Sequence, residues 1–267
     1  MSPIIIATVV VALTGLIIGI LLGVAGEKFK VQIDEKELKV REALPGNNCG
    51  GCGYAGCDAA AKAIAVGEAA VNICPVGGSP VAEQIGEIMG VKAELAEKRV
   101  AFVKCAGTCD KASNKSNYYG VMDCVAAMSA PGESGKACGY GCMGLGSCVR
   151  ACPFDAIHVI DGIAKVDVEK CTACGNCVAI CPKNIIEFAP AEAKFLVRCN
   201  SLDKGKEVKD KCDAGCIGCG MCVRACEYDA VHVENNLAYI DQSKCVKCGK
   251  CAEKCPTKVI RDLVAAN

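Results

Sequence analysis

Tryptophan is missing from this 267-residue chain, and it has only five phenylalanines and six tyrosines. A single large core built on aromatic packing is therefore excluded, and disulfides, metal or membrane must help hold the polypeptide together. Histidine is scarce too: His158 and His232 are the only two, which leaves little for general acid–base work. Charge of one sign is not in excess, with 30 Lys+Arg against 30 Asp+Glu, so a basic nucleic-acid-binding surface has no support. There is no glycine-rich dinucleotide fingerprint, no P-loop and no Ser/His/Asp arrangement. Long disorder is excluded as well, because 52% of residues are apolar and 22% charged. The length fits two or three small units.

What the chain does have is cysteine, 25 of them, and one long apolar run. Ile4 to Gly26 carries no charge. As a helix it would cover roughly 34 Å, enough to cross a bilayer. A cleaved signal peptide or a buried core helix are the rivals, but Met1-Ser2-Pro3 lacks the basic segment that a signal peptide uses. Lys28, Lys30, Lys36, Lys39 and Arg41 crowd the C-terminal flank, so the positive-inside tendency puts the remainder in the cytoplasm. In a reducing compartment thiols are metal ligands rather than disulfides.

Four parts are expected: a transmembrane anchor (1–26), a linker with a small four-cysteine iron–sulfur domain (27–99), and two tandem α+β ferredoxin-like units (100–198 and 199–267). The stretch Val81 to Arg99 has helical composition. The tandem repeat shows by subtraction. Cys138, Cys142, Cys148, Cys152, Cys171, Cys174, Cys177 and Cys181 recur 74 positions later as Cys212, Cys216, Cys222, Cys226, Cys245, Cys248, Cys251 and Cys255. The lead-ins FVKC and LVRC, ending at Cys105 and Cys199, also correspond, with 20 extra residues in the first copy. Each copy reads as short strand pairs with short helices, and the histidines, at equivalent strand positions, read as packing residues.

Cys-x2-Cys-x2-Cys followed by a distant Cys-Pro is the ligand pattern of a [4Fe–4S] cube. In two-cluster ferredoxins the fourth cysteine of each run serves the other cluster. The expected sets are Cys171/Cys174/Cys177/Cys152 and Cys138/Cys142/Cys148/Cys181 in the first unit. In the second they are Cys216/Cys219/Cys222/Cys255 and Cys245/Cys248/Cys251/Cys226. Cys138 is assigned because no cysteine stands between Cys142 and Cys148 where Cys219 stands in the second copy. Zinc uses paired Cys-x2-Cys motifs and gives no reason for the third cysteine or the Cys-Pro. Upstream, NNCGGCGYAGC supplies Cys49, Cys52 and Cys57, with Cys74-Pro75 as a fourth ligand; zinc is a stronger rival there. These make five [4Fe–4S] clusters. The remaining Cys105, Cys109, Cys124, Cys199 and Cys212 allow a sixth, read as Cys105, Cys109 and Cys124 with Cys199 or Cys212, or else as buried structural thiols. Each oxidised cube with four thiolates adds about two negative charges, which nearby Lys and Arg offset.

Redox centres in series without a substrate motif make a wire. NNCGGCGYAGC joined to a membrane span and ferredoxin-type runs resembles the B subunit of the Rnf complex, the ion-translocating ferredoxin:NAD oxidoreductase. That resemblance covers nearly the whole chain. It implies an electron-input subunit of a translocase, taking electrons from soluble ferredoxin and passing them to other membrane subunits, with NAD⁺ reduced elsewhere and Na⁺ or H⁺ pumped. No catalytic residue beyond the clusters is implied. The alternative is a membrane complex whose electrons reduce a redox-sensing regulator; a soluble polyferredoxin with a processed leader is a third reading.

Overall fold

The structure, a computed structural model, describes residues 3–29, 34–93, 97–129 and 135–263. Met1, Ser2 and Lys30, used above for the membrane reading, lie outside the described residues. The apolar run forms α1 (Pro3–Lys28), and within it Ala7–Lys28 is long and apolar enough to cross a membrane, with none of its most apolar stretch buried. No protein surface covers its Leu13, Leu16, Ile17, Ile18, Leu21 and Leu22 side chains, so a lipid phase is the environment that would remove them from water.

Three helices make the next unit. α2 (Glu35–Ala43) starts where the Asp34 carboxylate accepts the Lys36 N–H at 3.0 Å, with Glu35 and Glu37 favourably placed in the first turn. Pro45, just beyond its last residue, ends it. α3 (Cys57–Ala65) and α4 (Gly78–Met89) pack with α2 around Val40, Ile64 and Ile85, all at most 1% exposed. Each such aliphatic contributes about 1.5–3 kcal/mol on burial. The helix expected from Val81 onward stops at Gly90, whose left-handed conformation (φ 71°) caps α4; Arg99 is already strand.

The two repeats fold alike. In the first, β1 (Arg99–Val103) pairs antiparallel with β4 (Ile186–Pro190), and β2 (Ile157–Ile160) with β3 (Ile163–Val166). Its short helices are α5 (Cys124–Met128), α6 (Ser147–Arg150) and α7 (Asn176–Ile180). In the second, β5 (Phe195–Val197) pairs with β8 (Ile260–Asp262), and β6 (Val231–Glu234) with β7 (Leu237–Ile240); α8 (Gly205–Lys211), α9 (Met221–Arg224) and α10 (Lys250–Lys254) complete it. The expected border at 198/199 thus falls after a strand that pairs only with the second unit, so that unit begins at Phe195. Each hairpin crosses one short turn, but each outer pair closes the full length of a unit and brings the lead-in cysteine beside the runs.

The largest fully buried side chains are isoleucines and valines, consistent with the missing aromatics. The histidines depart from expectation. They lie in β2 and β6, yet their side chains are 44% and 37% exposed and turn to Asp155 (3.6 Å) and Asp229 (4.0 Å), so they are surface residues rather than packing ones.

Candidate metal centres

In the N-terminal unit, the loop before α3 carries Cys49 and Cys52, and Cys57 opens the helix. Asn48 Oδ1 accepts the Cys57 N–H at 2.8 Å, which fixes the loop to the helix start. Cys74 Sγ accepts the Gly77 N–H at 3.4 Å, and its thiol is pushed up by burial, with the Cys52 and Cys57 sulfurs adding to the shift. Cys52, Cys57 and Cys74 are thus gathered around one loop-and-helix core, with Cys49 on the same loop. Gly51 packs on the first ferredoxin unit so closely that a Cβ there would stand 2.6 Å from the Cys174 carbonyl oxygen. Cys174 in turn senses the Cys49 sulfur.

In the second ferredoxin unit, Cys216, Cys219, Cys222 and Cys255 line one cavity, and Cys226, Cys245, Cys248 and Cys251 line another. Each cavity gathers the cysteines of one expected crossed set. Closing them requires a tight backbone: Gly218, at φ 63°, approaches Asn236 so that a Cβ would lie 2.9 Å from its carbonyl oxygen. In the first unit Cys177 lies beside Cys171, Cys174 and Cys152, and its thiol is pushed up to about 12 by burial first and those sulfurs second.

One expected set differs. Cys148, pushed up to about 12 chiefly by burial, has Cys142, Cys124, Cys177 and Cys181 as its sulfur neighbours. Cys138 instead lines a cavity with Cys105, Cys199 and Cys212. The physical reason lies in the inserted segment. Cys124 opens α5, its N–H is held by Ser147 Oγ at 2.7 Å, and it packs on the cluster containing Leu145, the residue that stands where the second unit has Cys219. The expected grouping of Cys105, Cys109 and Cys124 is also not formed. Cys109 is exposed at the β2–β3 turn, its N–H bonded to the Asp161 carbonyl at 2.9 Å.

The sulfurs are prepared for negative charge. Backbone N–H groups of Ala101, Ala164 and Ala238 each point at a sulfur, those of Cys171, Cys142 and Cys216, at 3.4 Å. Thr172 Oγ1, next to Cys171, is buried without a protein partner among the described residues, a donor suited to a cluster sulfide. Burial pushes Cys142 and Cys251 up to about 11, so the thiols stay neutral until metal displaces their protons. Cys255 is the exception: burial pushes it up, but hydrogen bonds from Val259, Thr257 and Ile260 bring it below the ordinary thiol value. Among the described residues, no three His, Cys, Asp or Glu side chains converge tightly enough to hold a single ion. In the second unit each quartet stands around a cavity instead, an arrangement that fits an inorganic core better than tetrahedral zinc, whose sulfurs sit about 2.3 Å from one metal.

Comparison with known proteins agrees. Residues 44–76 match the family described as "Putative Fe-S cluster", and residues 132–182 and 215–259 each match a 4Fe-4S dicluster domain. The chain is 49% identical over 261 residues to the B subunit of the Na(+)-translocating ferredoxin:NAD(+) oxidoreductase complex of Acetobacterium woodii, covering 97% of this chain and 78% of that one. It is 45% identical to the B subunit of the ion-translocating oxidoreductase complex of Methanosarcina acetivorans, over 97% and 99% of the two chains. The chain belongs to the Rnf B-subunit family. A third relative, the B subunit of the proton-translocating ferredoxin:NAD(+) oxidoreductase complex of Clostridium ljungdahlii, is 43% identical over 99% of this chain and 94% of its own.

Membership makes this Rnf-type chain an iron–sulfur electron-transfer subunit of an oxidoreductase complex, associated with the membrane and with the other subunits. The matched domain stretches leave out Cys105, Cys109, Cys124, Cys199 and Cys212. The part played by Cys124 is open to sequence reasoning only as a surplus cysteine near a run that lacks one.

Proposed function

We propose that this protein takes electrons from reduced ferredoxin and relays them to the membrane subunits of its complex, which reduce NAD⁺ and move Na⁺ or H⁺. Bound clusters would supply reversible one-electron transfer; the polypeptide holds them and sets their spacing. The ligand sets we assign are Cys49/Cys52/Cys57/Cys74, Cys152/Cys171/Cys174/Cys177, Cys124/Cys142/Cys148/Cys181, Cys216/Cys219/Cys222/Cys255 and Cys226/Cys245/Cys248/Cys251. The cationic flank after α1 supports a cytoplasmic soluble part, where ferredoxin and NAD⁺ reside.

The observation that carries this reading is the close seating of Gly51 on Cys174, which puts the N-terminal cysteine loop directly against a ferredoxin-type run. Two redox sites in backbone contact form a path, whereas a lone structural metal needs no such neighbour. Membranes lacking this chain should lose ferredoxin-dependent NAD⁺ reduction, and restoring it should recover the activity. Retention of that activity without the chain would overturn the proposal, as would restored electron flow that reaches a regulatory protein and never NAD⁺.

A further inference from the structure

The cavity between the two ferredoxin units is lined by four cysteines, Cys105, Cys138, Cys199 and Cys212, the same number that lines each cluster cavity of the second unit. We infer that these four thiolates hold a sixth [4Fe–4S] cluster, which joins the two ferredoxin units into one conductor. The inference rests on the reading that cysteine quartets in this chain hold cubes, but not on the identity of the electron donor or acceptor.

Repeat symmetry is the first argument. Cys138 and Cys212 are 74 positions apart, and Cys105 and Cys199 close the two corresponding lead-ins. Each unit therefore contributes the same two cysteines, and neither unit alone has a full set. The outer strand pairs explain the convergence, because β1–β4 and β5–β8 deliver each lead-in to the face where the units meet.

Backbone geometry is the second. A Cβ at Gly107 would stand 3.3 Å from Cys212 Sγ and 3.7 Å from Cys105 Sγ, and one at Gly141 would stand 3.5 Å from Cys138 Sγ and 3.6 Å from Cys105 Sγ. Both glycines thus leave clear a cradle between the sulfurs that a side chain would fill. The sulfurs also meet N–H donors: Cys105 takes the Cys142 N–H at 3.3 Å and Cys199 the Ser201 N–H at 3.4 Å. Cys138 is met by the N–H groups of Tyr140 and Gly141, and Cys212 by that of Ala214.

Charge is the third. Arg198, only 6% exposed, forms part of the wall with Lys104, Lys136 and Lys211; Asp203 pairs with Lys211 and Glu187 with Lys104, so these four cations outnumber the two carboxylates. Lys136 Nζ also ties the wall together through the Gly107 and Gly162 carbonyls at 3.1 and 2.7 Å. A cube with four thiolates carries about two negative charges, which this surplus of cations suits.

Position then supplies the role. The Cys142 N–H bonds Cys105 Sγ, and the Cys216 N–H bonds Cys199 Sγ, so one ligand residue of each flanking cluster touches one ligand of the bridge. An electron would pass in when the first unit's cluster is oxidised and out when the second unit's cluster is reduced, or in the reverse direction, with no bond or proton exchanged.

The test is iron and sulfide content of the full chain purified anaerobically, with EPR of the reduced protein. About 24 iron atoms per chain are expected, from four in each of six clusters. About 20 would overturn the bridge while leaving the other five sites standing, and zinc without iron would overturn the reading of all of them. Cys212→Ser and Cys138→Ser should each lose about four irons, and the double variant no more than either single one, since both residues serve one cluster. Unchanged iron in Cys212→Ser, or about eight irons lost in the double variant, would overturn the assignment. Cys109→Ser, outside the cavity, should keep the full complement.

Discussion

The two ferredoxin units share a fold, a 74-residue offset and even their surface ion pairs: Lys170 meets Asp155 at 3.2 Å, and Lys244 meets Asp229 at 3.1 Å. They differ where the first unit has Leu145 in place of a cysteine and 20 additional residues before its run. The insertion brings another cysteine to the run, because α5 carries Cys124 to the neighbourhood of Cys148. It also stitches the units together: the Ser113 N–H bonds the Lys211 carbonyl at 3.0 Å, and Ala112 bridges to Cys212. On the ligand sets proposed above, a ligand has moved from a run to a distant segment while the quartet persists, since a cluster depends on where four sulfurs meet and not on their order along the chain.

Removal of iron should break the comparison most completely. Both units place cysteines inside their cores, and neither has a large aromatic core to compensate, so cluster binding is coupled to folding in each. Anaerobic chelation should abolish the cooperative thermal transition of both units, read by circular dichroism, while α1 keeps its helical signal in detergent. A ferredoxin portion that melts cooperatively without iron would contradict this coupling.

A smaller change should sharpen it. Cys124→Ser is expected to lose about four irons per chain, the content of one cluster. Adding Leu145→Cys should restore them by giving the first run the pattern of the second. Leu145 is 7% exposed, so its replacement sacrifices packing, at a cost of about 2 kcal/mol that a regained cluster would offset. Iron content measures both steps. Full iron in Cys124→Ser would show that the fourth ligand comes from elsewhere.

Much of this is legible in the sequence, because ferredoxin runs are local. Spacing alone indicates which three cysteines share a turn, and a Cys-Pro marks the fourth except at Cys226, which Glu227 follows. Cys52, Cys57 and Cys74 share the core of the N-terminal unit, and in the second unit four cysteines from the runs line each of two cavities. Cys138 escapes the rule because proximity along the chain assigns it to the nearest run. Its offset partner, Cys212, belongs to no run, a sign that both serve something else. Cys124 has no place in a local rule because its position depends on a long-range contact, the Ser147 hydroxyl at the start of α6. The histidines mislead for a simpler reason: a strand that covers one face of a small unit leaves alternate side chains in water.

That hydroxyl carries the smallest expected effect. Ser147 is 4% exposed and makes three contacts at once, accepting the Cys124 N–H at 2.7 Å and an Arg150 N–H at 3.4 Å and donating to Asp123 Oδ2 at 2.8 Å. Hydrogen bonds also hold the Asp123 carboxyl low, to about 2, led by the Ala126 N–H and followed by Ser147 and Arg150. At the equivalent position the second unit has Met221, 38% exposed, and it has no inserted helix to fasten. Ser147→Ala leaves the Cys124 N–H without its acceptor in a partly buried site, a loss of about 1–3 kcal/mol. The loss should fall on the first unit alone. Its melting temperature should drop by a few degrees and its iron should become more easily chelated, while the second unit's clusters are released at an unchanged rate. Equal acceleration of iron loss from both units would mean that α5 is not the element that distinguishes them.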